Sequence, residues 1–457
     1  MPDNIHYHAI IIGSGQAGNP LAAKLAERGE KVAIVEQGFL GGTCVNTGCT
    51  PTKTLIASAQ IAYYARNAER WGVHAGEVSV NLPAILKRKD DIVHGMRSGW
   101  EKSFGAEGQP SLYRGKARFT GTRQVQVADA VLQADRIFID TGTRPAIPKI
   151  SGLDAVPYLT NVSLLELKDL PDHLIVMGGG YVGLEFGQMF CRFGSHVTVI
   201  NRSPRILPHE DEDITAKMQK AVESEGVRFR LNANVVKASA QAGCVTVTLD
   251  SGESITGSHL LVAVGRAPNT GDLDLTKTGV ETDQKGFIVV NDRLETSAPG
   301  IWALGDVAGG PAFTHISYND FQIVYGNLYE GKRLSTKTRL VPYALYTDPT
   351  LGRVGMTEKE ARASGKKLKI GAYPMSSVAR AKERAETAGF MKLIVDASND
   401  LILGAAILGV EGGELVQILS TLMLAEKPYT LLKGAIYIHP TLAEGFFGLM
   451  DSVKPVD

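Results

Sequence analysis

The sequence predicts an α/β fold with two similar parallel-sheet units, followed by a C-terminal domain of α+β type. Three observations support this class. An apolar strand, a glycine-rich turn and a helix follow one another within residues 8–36, and the same order returns within residues 174–200. From Val341 onward, short strands and helices follow one another without this repeat. A strand, a glycine turn and a helix in that order are typical of Rossmann-like dinucleotide-binding domains, so two of them are expected.

The first unit has a candidate anion-binding turn directly after its first strand. An apolar run over residues 8–12 leads into the turn, whose glycines are Gly13, Gly15 and Gly18. Glycine lets a phosphate approach the backbone without a Cβ clash, and the helix N-terminus that follows favours negative charge. The second strand, Val32 to Val35, ends on Glu36, which is placed to accept hydrogen bonds from a ribose. A dinucleotide with an unphosphorylated ribose is expected here.

The second unit repeats this pattern. The strand Leu174 to Met177 precedes the turn, the helix runs through Phe190 and stops at Gly194, and the next strand is Val197 to Ile200. The glycines of this turn are Gly178, Gly180 and Gly183. Two such units in one chain are more specific than a single glycine motif.

The remaining elements divide the chain further. Hairpin and closing strands are expected at Val125–Val127, Val131–Leu132, Arg136–Pro145, Val245–Leu249 and His259–Pro268. In the last part, strands are expected at Met391–Val395 and Leu401–Leu408, with helices at Leu415–Leu424 and from Leu431 onward. The predicted domains are residues 1–147, 148–268, a central segment 269–340 that completes the first domain, and 341–457.

Composition excludes several classes of partner. The 457 residues contain 48 Lys and Arg against 48 Asp and Glu, so nothing attracts the chain to nucleic acid or to an anionic membrane. No stretch of about twenty apolar residues is present, and the first residues carry no basic leader. A cytoplasmic location is therefore expected.

The segment GGTCVNTGCTPTK, residues 41–53, contains two of the four cysteines, Cys44 and Cys49. Four intervening residues let the sulfurs approach across one irregular helical turn, close enough for a strained, reducible disulfide. Pro51 is expected to open the next helix, whose N-terminal dipole would favour thiolate over thiol. No nearby His or second cysteine pair supplies further ligands, so no metal site is expected. The pair is interpreted as a redox couple.

This segment, the two glycine turns, IWALGD at 301–306 and HPTLAE at 439–444 resemble the pyridine nucleotide–disulfide oxidoreductases. The resemblance covers essentially the whole chain. It implies a homodimer with FAD in the first unit, in which NAD(P)H reduces the flavin and the flavin reduces the Cys44–Cys49 disulfide. It also implies that Cys49 lies against the flavin as the charge-transfer thiolate, and that Cys44 exchanges with substrate.

The same resemblance assigns further residues. Lys53 and Glu185 match an ion pair near the flavin and nicotinamide, and Asp306 matches the acid that binds the ribityl chain of FAD. Other residues expected at the cofactors are Gly42, Thr43, Thr141, Gly142 and Gly265.

His439 and Glu444 form a candidate acid–base pair. An imidazole oriented by a carboxylate can take the proton of an attacking thiol and return it to a leaving thiolate. The resemblance implies that this histidine reaches the disulfide of the other subunit, so that dimerisation completes the active site.

Thr47, Thr50 and Thr52 surround the cysteines and bring the sequence closer to mercuric-reductase-like and reactive-chlorine-resistance reductases than to typical lipoamide dehydrogenases. A true mercuric reductase is disfavoured, because the sequence has neither vicinal C-terminal cysteines nor an N-terminal Cys-x-x-Cys domain, and it retains His439. The expected acceptor is a small-molecule disulfide or a metal ion. Dihydrolipoyl dehydrogenase is the alternative within the family, and a redox sensor or structural subunit without turnover is the alternative outside it.

The residues after Ile200 bear on the choice of nicotinamide. Gly183 is usual for NAD, but Asn201 stands where a carboxylate would bind a 2′-hydroxyl and repel a 2′-phosphate. Arg202 and Arg205 can offer charge-assisted hydrogen bonds to that phosphate. NADPH is therefore expected as the preferred donor, with NADH accepted more weakly.

Overall fold

The computed structural model describes residues 5–104 and 108–456. The chain forms two compact units. The first takes Met1–Thr54, Ala84–Ala146 and Gly265–Arg339, and the second takes Leu55–Pro83, Ile147–Val264 and Leu340–Asp457. The domain boundaries expected at residues 147, 268 and 340 remain predictions.

Helices and strands follow one another through both units. The strands are β1 (Ile5–Ile12), β2 (Val32–Glu36), β3 (Ser111–Arg114), β4 (Ala117–Gly121), β5 (Gln124–Val127), β6 (Ala130–Ile139), β7 (Thr143–Pro145), β8 (Tyr158–Leu159), β9 (His173–Met177), β10 (His196–Ile200), β11 (Arg228–Arg230), β12 (Val235–Gln241), β13 (Cys244–Leu249), β14 (Ser254–Gly257), β15 (His259–Val262), β16 (Arg266–Pro268), β17 (Ile301–Ala303), β18 (Tyr343–Leu345), β19 (Thr350–Gly355), β20 (Leu368–Pro374), β21 (Phe390–Asp396), β22 (Ile402–Gly409) and β23 (Lys454–Val456). The α-helices are α1 (Gly18–Glu27), α2 (Gly42–Asn46), α3 (Cys49–Arg66), α4 (Leu82–Ser103), α5 (Asn161–Leu164), α6 (Tyr181–Phe193), α7 (Glu212–Ser224), α8 (Thr314–Tyr329), α9 (Glu358–Ala363), α10 (Ala379–Glu383), α11 (Gly412–Leu424), α12 (Thr430–Lys433) and α13 (Gly445–Ser452).

The main sheet of the first unit has the order β3-β2-β1-β6-β5-β4, and β17 also pairs with β6. The strands β3, β2, β1, β6 and β17 are parallel, whereas β5 pairs antiparallel with both β6 and β4. Residues 9–12 of β1 are buried on both faces of the sheet. Ile11 packs with Leu21 and Leu25 of α1, and Ile10 packs on the opposite face. Burial on both faces explains why these four residues are an unbroken apolar run in the sequence.

The second unit contains a parallel sheet, β11-β10-β9-β15-β8, and an antiparallel sheet, β12-β13-β14. Its C-terminal part is a six-stranded antiparallel sheet of order β18-β19-β22-β21-β20-β23. Residues from α11 and α13, among them Leu419 and Phe446, form one apolar core with Met391 and Ile407 of this sheet. These features confirm the predicted fold class.

Some predicted element boundaries were wrong. The helix α3 begins at Cys49, two residues before Pro51, because the Gly48 carbonyl already accepts the Thr52 N–H at 3.1 Å. Proline is tolerated in the first helical turn, where its N–H would have no helical partner. The helix expected from Leu431 onward is the short α12.

The expected closing strands also differ from the structure. Residues 131–139 belong to the single strand β6, since residues 132–134 already pair with β1. Residues 259–268 form two strands of different sheets, β15 and β16, which are separated by three residues. In the described part of the chain, no helix combines the length and apolar character needed to cross a membrane.

Candidate active site

The first glycine turn joins β1 to α1. Gly13 has a φ of +105°, and a Cβ there would lie 2.1 Å from the carbonyl oxygen of Asp140. A Cβ on Gly18 would lie 2.5 Å from the carbonyl oxygen of Gly13. These two glycines are required by the turn itself, since any side chain would collide with backbone.

Glu36 at the end of β2 braces this turn. The N–H and hydroxyl of Ser14 donate to Oε2 at 3.0 and 2.9 Å, and the Gly38 N–H donates to Oε1 at 2.7 Å. The Ser14 carbonyl in turn accepts the Gly41 N–H at 3.1 Å. A carboxylate has about four acceptor positions, so one remains for the expected ribose hydroxyl.

Several groups at the carboxyl ends of the parallel strands fit a bound dinucleotide such as FAD. The Thr141 hydroxyl and both amide atoms of Asn19 are buried without a hydrogen-bond partner among the described residues. Buried polar atoms normally have partners, and ligands of open α/β sheets bind at this edge. Gly142 and Gly265 have φ values of +63° and +143°, and no described atom lies within 4 Å of a Cβ built on either.

Asp306, the expected ribityl ligand, follows β17 at the same edge of the sheet. It accepts a hydrogen bond from the Thr143 hydroxyl at 2.8 Å and lies 3.7 Å from Nε of Arg266. Its side chain keeps 21% of its surface exposed. A further polar contact is therefore open to it.

The redox segment begins against the first turn. Gly42 has a φ of +61°, and a Cβ there would lie 2.8 Å from Cα of Gly15. Thr43 and Cys44 follow on α2. The amide of Asn46 donates to the carbonyls of Gly42 at 2.8 Å and Leu40 at 3.0 Å. These bonds fix the segment that carries the first cysteine.

The side chains of Cys44 and Cys49 are in hydrogen-bonding contact in their thiol forms. This contact and then burial raise the pKa of Cys44. Cys49 is the first residue of α3, where the helix dipole favours an anion. The Thr314 hydroxyl lies 3.1 Å from Sγ of Cys49 and also hydrogen-bonds Cys44. The raised pKa of Cys44 favours its thiol form, and the expected thiolate at Cys49 stays a prediction.

The two residues expected to act as an acid–base pair, His439 and Glu444, are in contact within the second unit. Nδ1 of His439 lies 3.0 and 3.1 Å from the two carboxylate oxygens of Glu444, which also accepts the Thr441 N–H at 2.9 Å. The Thr441 N–H and then His439 lower the pKa of Glu444, so a carboxylate faces the ring. In the tautomer with a proton on Nδ1, the carboxylate accepts that proton's hydrogen bond, and Nε2 stays open to another partner. The imidazole is 72% exposed.

Lys53 lies on α3, one turn beyond Cys49, and Glu185 lies on α6. Glu185 is only 7% exposed and accepts the Tyr346 N–H at 2.9 Å. The two residues belong to different units, so their expected ion pair stays a prediction.

The second glycine turn is built like the first. Gly178 has a φ of +113°, and a Cβ on it would lie 2.3 Å from the Ala263 carbonyl oxygen. A Cβ on Gly183 would lie 1.9 Å from the Gly178 carbonyl oxygen. A Cβ on Gly180 would meet no described atom within 4 Å. The absent side chain of Gly180 thus leaves space for a ligand rather than for the turn.

The residues expected to select the nicotinamide differ in their surroundings. Asn201 accepts the Gly179 N–H at 3.2 Å and donates to the Arg205 carbonyl at 2.8 Å, so its amide braces the turn. Arg205 is paired with Glu212 at 3.1 Å, whereas Arg202 is exposed.

The sequence interpretation missed two residues that the structure brings to these sites, Asp140 and Thr314. Asp140 accepts the Gly18 N–H at 2.7 Å across 122 residues, and Thr314 meets Cys49 across 265 residues. No local motif marks either of them. Among the described residues, no group of three or more His, Cys, Asp or Glu side chains is arranged to hold a metal ion.

Two dinucleotide turns and a cysteine pair beside the first turn define a flavin- and nicotinamide-dependent disulfide reductase. Residues 7–320 match the family model "Pyridine nucleotide-disulphide oxidoreductase", and residues 341–448 match the dimerisation domain of the same family. The chain belongs to this family and is an FAD-dependent, NAD(P)H-linked oxidoreductase.

Similar proteins cover nearly the whole chain. The "Probable pyridine nucleotide-disulfide oxidoreductase RclA" of Escherichia coli is 36% identical over 98% of this chain and 99% of its own length. A mercuric reductase of Lysinibacillus sphaericus is also 36% identical, over 96% of this chain and 81% of its own. A dihydrolipoyl dehydrogenase of Thermus scotoductus is 36% identical, over 96% of this chain and 95% of its own length.

Solved structures agree with these relatives. A Cu(II) complex of the HOCl-induced flavoprotein disulfide reductase RclA from Escherichia coli superposes with a TM-score of 0.91 at 36% identity. It covers 98% of this chain and 100% of that chain.

Proposed function

We propose that electrons from NADPH pass through FAD to the Cys44–Cys49 pair and then to a small disulfide or metal-ion acceptor. The contact between the two cysteine side chains, with Thr314 beside them, carries this proposal. FAD supplies the relay of two electrons when bound. The cysteine disulfide accepts two electrons and one proton, giving a Cys44 thiol and a Cys49 thiolate. A disulfide acceptor then takes the two electrons, one proton from Cys44 and one proton from solvent to become two thiols, and the Cys44–Cys49 bond reforms.

Absorption spectra test this route. Two-electron reduction of the yellow holoenzyme should give a long-wavelength charge-transfer band from the Cys49 thiolate to oxidised flavin. Cys49→Ser should abolish the band, and Cys44→Ser should show it without reduction, because no disulfide can form. Cys191→Ser is the matched control and should behave as wild type. Cys191 lies on α6, and its sulfur contacts the Glu225 carbonyl at 3.3 Å. Purified protein without flavin would contradict the proposal.

A homodimer is proposed on the family match of residues 341–448 and on exposed apolar side chains there. Leu431, Ile436 and Ile438 are 58%, 99% and 79% exposed, which is unusual for a group of large apolar residues. Mixing a His439→Gln chain with a Cys44→Ser chain should restore one of the two active sites in each mixed dimer. A fully active monomer would contradict the shared site.

The preference for NADPH is proposed because no carboxylate follows β10. The exposed Arg202 is the first candidate for the 2′-phosphate, while Arg205 already pairs with Glu212. Such a contact to a charged group is worth about 1.5–3 kcal/mol, or roughly ten- to a hundredfold. Arg202→Ala should lower kcat/KM for NADPH by that factor and leave NADH unchanged, and Asn201→Glu should favour NADH. Arg205→Ala, the matched control, should change the ratio less. A wild-type preference for NADH would refute the proposal.

Dihydrolipoyl dehydrogenase is the second candidate, favoured by the His439–Glu444 pair, which suits dithiol exchange. The similar RclA structure is a Cu(II) complex, which favours including that ion as an acceptor. A panel following NADPH and NADH oxidation with lipoamide, glutathione disulfide, Hg(II), Cu(II) and oxygen separates these acceptors. Turnover with lipoamide far above all others would favour the second candidate.

A further inference from the structure

A carboxyl group is buried inside the first glycine turn. Asp140 directly follows β6, and its Oδ2 accepts the Gly18 N–H at 2.7 Å. A Cβ on Gly15 would lie 2.6 Å from the same oxygen, and one on Gly305 would lie 2.8 Å from Oδ1. The side chain thus fills the space between these three glycines, and the residue is 7% exposed.

The second turn shows that such a turn does not need this carboxyl group. Gly178 stands to the Ala263 carbonyl as Gly13 stands to the Asp140 carbonyl, with Cβ distances of 2.3 and 2.1 Å. The backbone hydrogen bonds also correspond. The Asp140 N–H donates to the carbonyl of Ile12 and the Ala263 N–H to that of Met177, each at 2.8 Å, and these acceptors are the last residues of the strands that lead into the two turns. Alanine is sufficient beneath the second turn. The acid beneath the first turn therefore requires another explanation.

The position of the acid matters for an anionic ligand. The N-terminus of α1 would attract the pyrophosphate of FAD through its N–H groups and dipole. An ionised Asp140 takes the Gly18 N–H and adds a negative charge to the same place. A neutral Asp140 adds none. The two protonation states thus differ in how well the turn holds a pyrophosphate.

The surroundings favour the neutral acid. Burial is the main cause that raises the pKa of Asp140 well above its usual value, and the Gly18 N–H opposes it. Two further acids, Asp306 after β17 and Asp320 of α8, raise it as well. Asp320 is ion-paired with Arg339, and Asp306 lies 3.7 Å from Arg266, so both acids are partly compensated. The backbone N–H groups of Ala17 and Gly18, at the start of α1, oppose this rise.

We propose that Asp140 couples the retention of FAD to the uptake of one proton from solvent. The form with a neutral Asp140 holds FAD, and loss of that proton weakens binding. This inference rests on FAD occupying the first turn, as in the proposed function. Because the holo form binds one proton more than the apo form over part of the pH range, the dissociation constant rises with pH there, by up to about tenfold per pH unit.

The test uses dilution of the purified holoenzyme, with FAD fluorescence reporting release, between about pH 5.5 and 9.5. The wild-type dissociation constant should rise with pH within this range. Asp140→Asn keeps an acceptor for the Gly18 N–H without a titratable proton, so its constant should stay flat. Asp129→Asn removes one exposed aspartate of the same unit and should follow wild type. A flat wild-type profile, or equal slopes in wild type and Asp140→Asn, would overturn the proposal.

A second variant covers failure of Asp140→Asn to fold. Asp140→Ala copies the residue found beneath the second turn and should also give a flat profile. Calorimetry of FAD binding to wild type in two buffers of different ionisation enthalpy, repeated across the same pH range, should give uptake of up to one proton where the dissociation constant rises, and uptake of none at every pH would contradict the inference. Purified protein that contains no FAD would instead refute the proposed function, so the two failures are distinguishable.

Discussion

Removal of the Thr314 hydroxyl should make the Cys49 thiolate harder to form. The hydroxyl lies 3.1 Å from Sγ of Cys49 and can donate its proton to a thiolate. A hydrogen bond to a charged acceptor is worth about 1.5–3 kcal/mol and one to a neutral acceptor about 0.5–1.5 kcal/mol. The difference of roughly 1–1.5 kcal/mol corresponds to about five- to tenfold less thiolate at a pH below the titration midpoint.

Alkylation of the reduced enzyme with iodoacetamide, followed by peptide mass spectrometry, measures this effect at Cys49 separately from Cys44. In Thr314→Val the rate at Cys49 should fall by that factor at low pH and approach the wild-type rate at high pH. The midpoint of the charge-transfer band should move to higher pH in parallel. Thr314→Ser keeps the hydroxyl and should restore both the rate and the midpoint, whereas a purely structural role of the threonine would not depend on the hydroxyl. Identical profiles for wild type and Thr314→Val would refute the reasoning.

Further predictions concern the acid–base pair and the second turn. His439→Gln should slow dithiol–disulfide exchange by about two to four powers of ten while stopped-flow flavin reduction stays unchanged. The pKa of Glu444 is lowered from its ordinary value of 4.5, so its contribution to stability is complete above pH 4.5 and is lost as the pH falls through the lowered pKa. On acidification, the Tm of Glu444→Gln should therefore fall less than that of wild type. Gly180→Ala should keep the wild-type Tm but raise the Kd for NADPH, since its Cβ meets only open space, whereas Gly183→Ala should lower Tm because its Cβ would lie 1.9 Å from a carbonyl oxygen. Equal effects of the two alanines on Tm would contradict this distinction.

The local parts of the site were predictable from sequence. Both glycine turns, the Cys44–Cys49 segment and the His439–Glu444 pair each lie within a few residues, so their spacing alone brings the groups together. Thr314 was not predictable, because its contact with Cys49 depends on how α8 lies beside the redox segment. The sequence also predicted separate strands at Val131–Leu132 and from Arg136 onward, and this was wrong for a related reason. Pairing with β1 joins them into the single strand β6 through residues that show no apolar run.

Asp140 could have been noticed without a structure. The closing strands of the two units correspond in sequence. The first ends Ile-Asp-Thr-Gly142 and the second ends Val-Ala-Val-Gly265, so that Asp140 corresponds to Ala263. The acid stands out in that comparison, although only the structure shows that it accepts the Gly18 N–H. Comparison of repeated units within one chain is thus more informative here than either motif alone.

The two turns differ in a way that suits two different ligands. The first is held from within, since Asp140 fills the space at Gly15 and Glu36 fixes Ser14. The second leaves Gly180 facing open space. A flavin must stay bound through many cycles, whereas a nicotinamide must enter and leave in each one. A turn whose shape is set by the protein's own contacts is pre-organised for a retained cofactor, because little ordering remains to be done when the ligand binds. A turn with an open middle position is suited to an exchanging one, because the ligand displaces no protein group on entering.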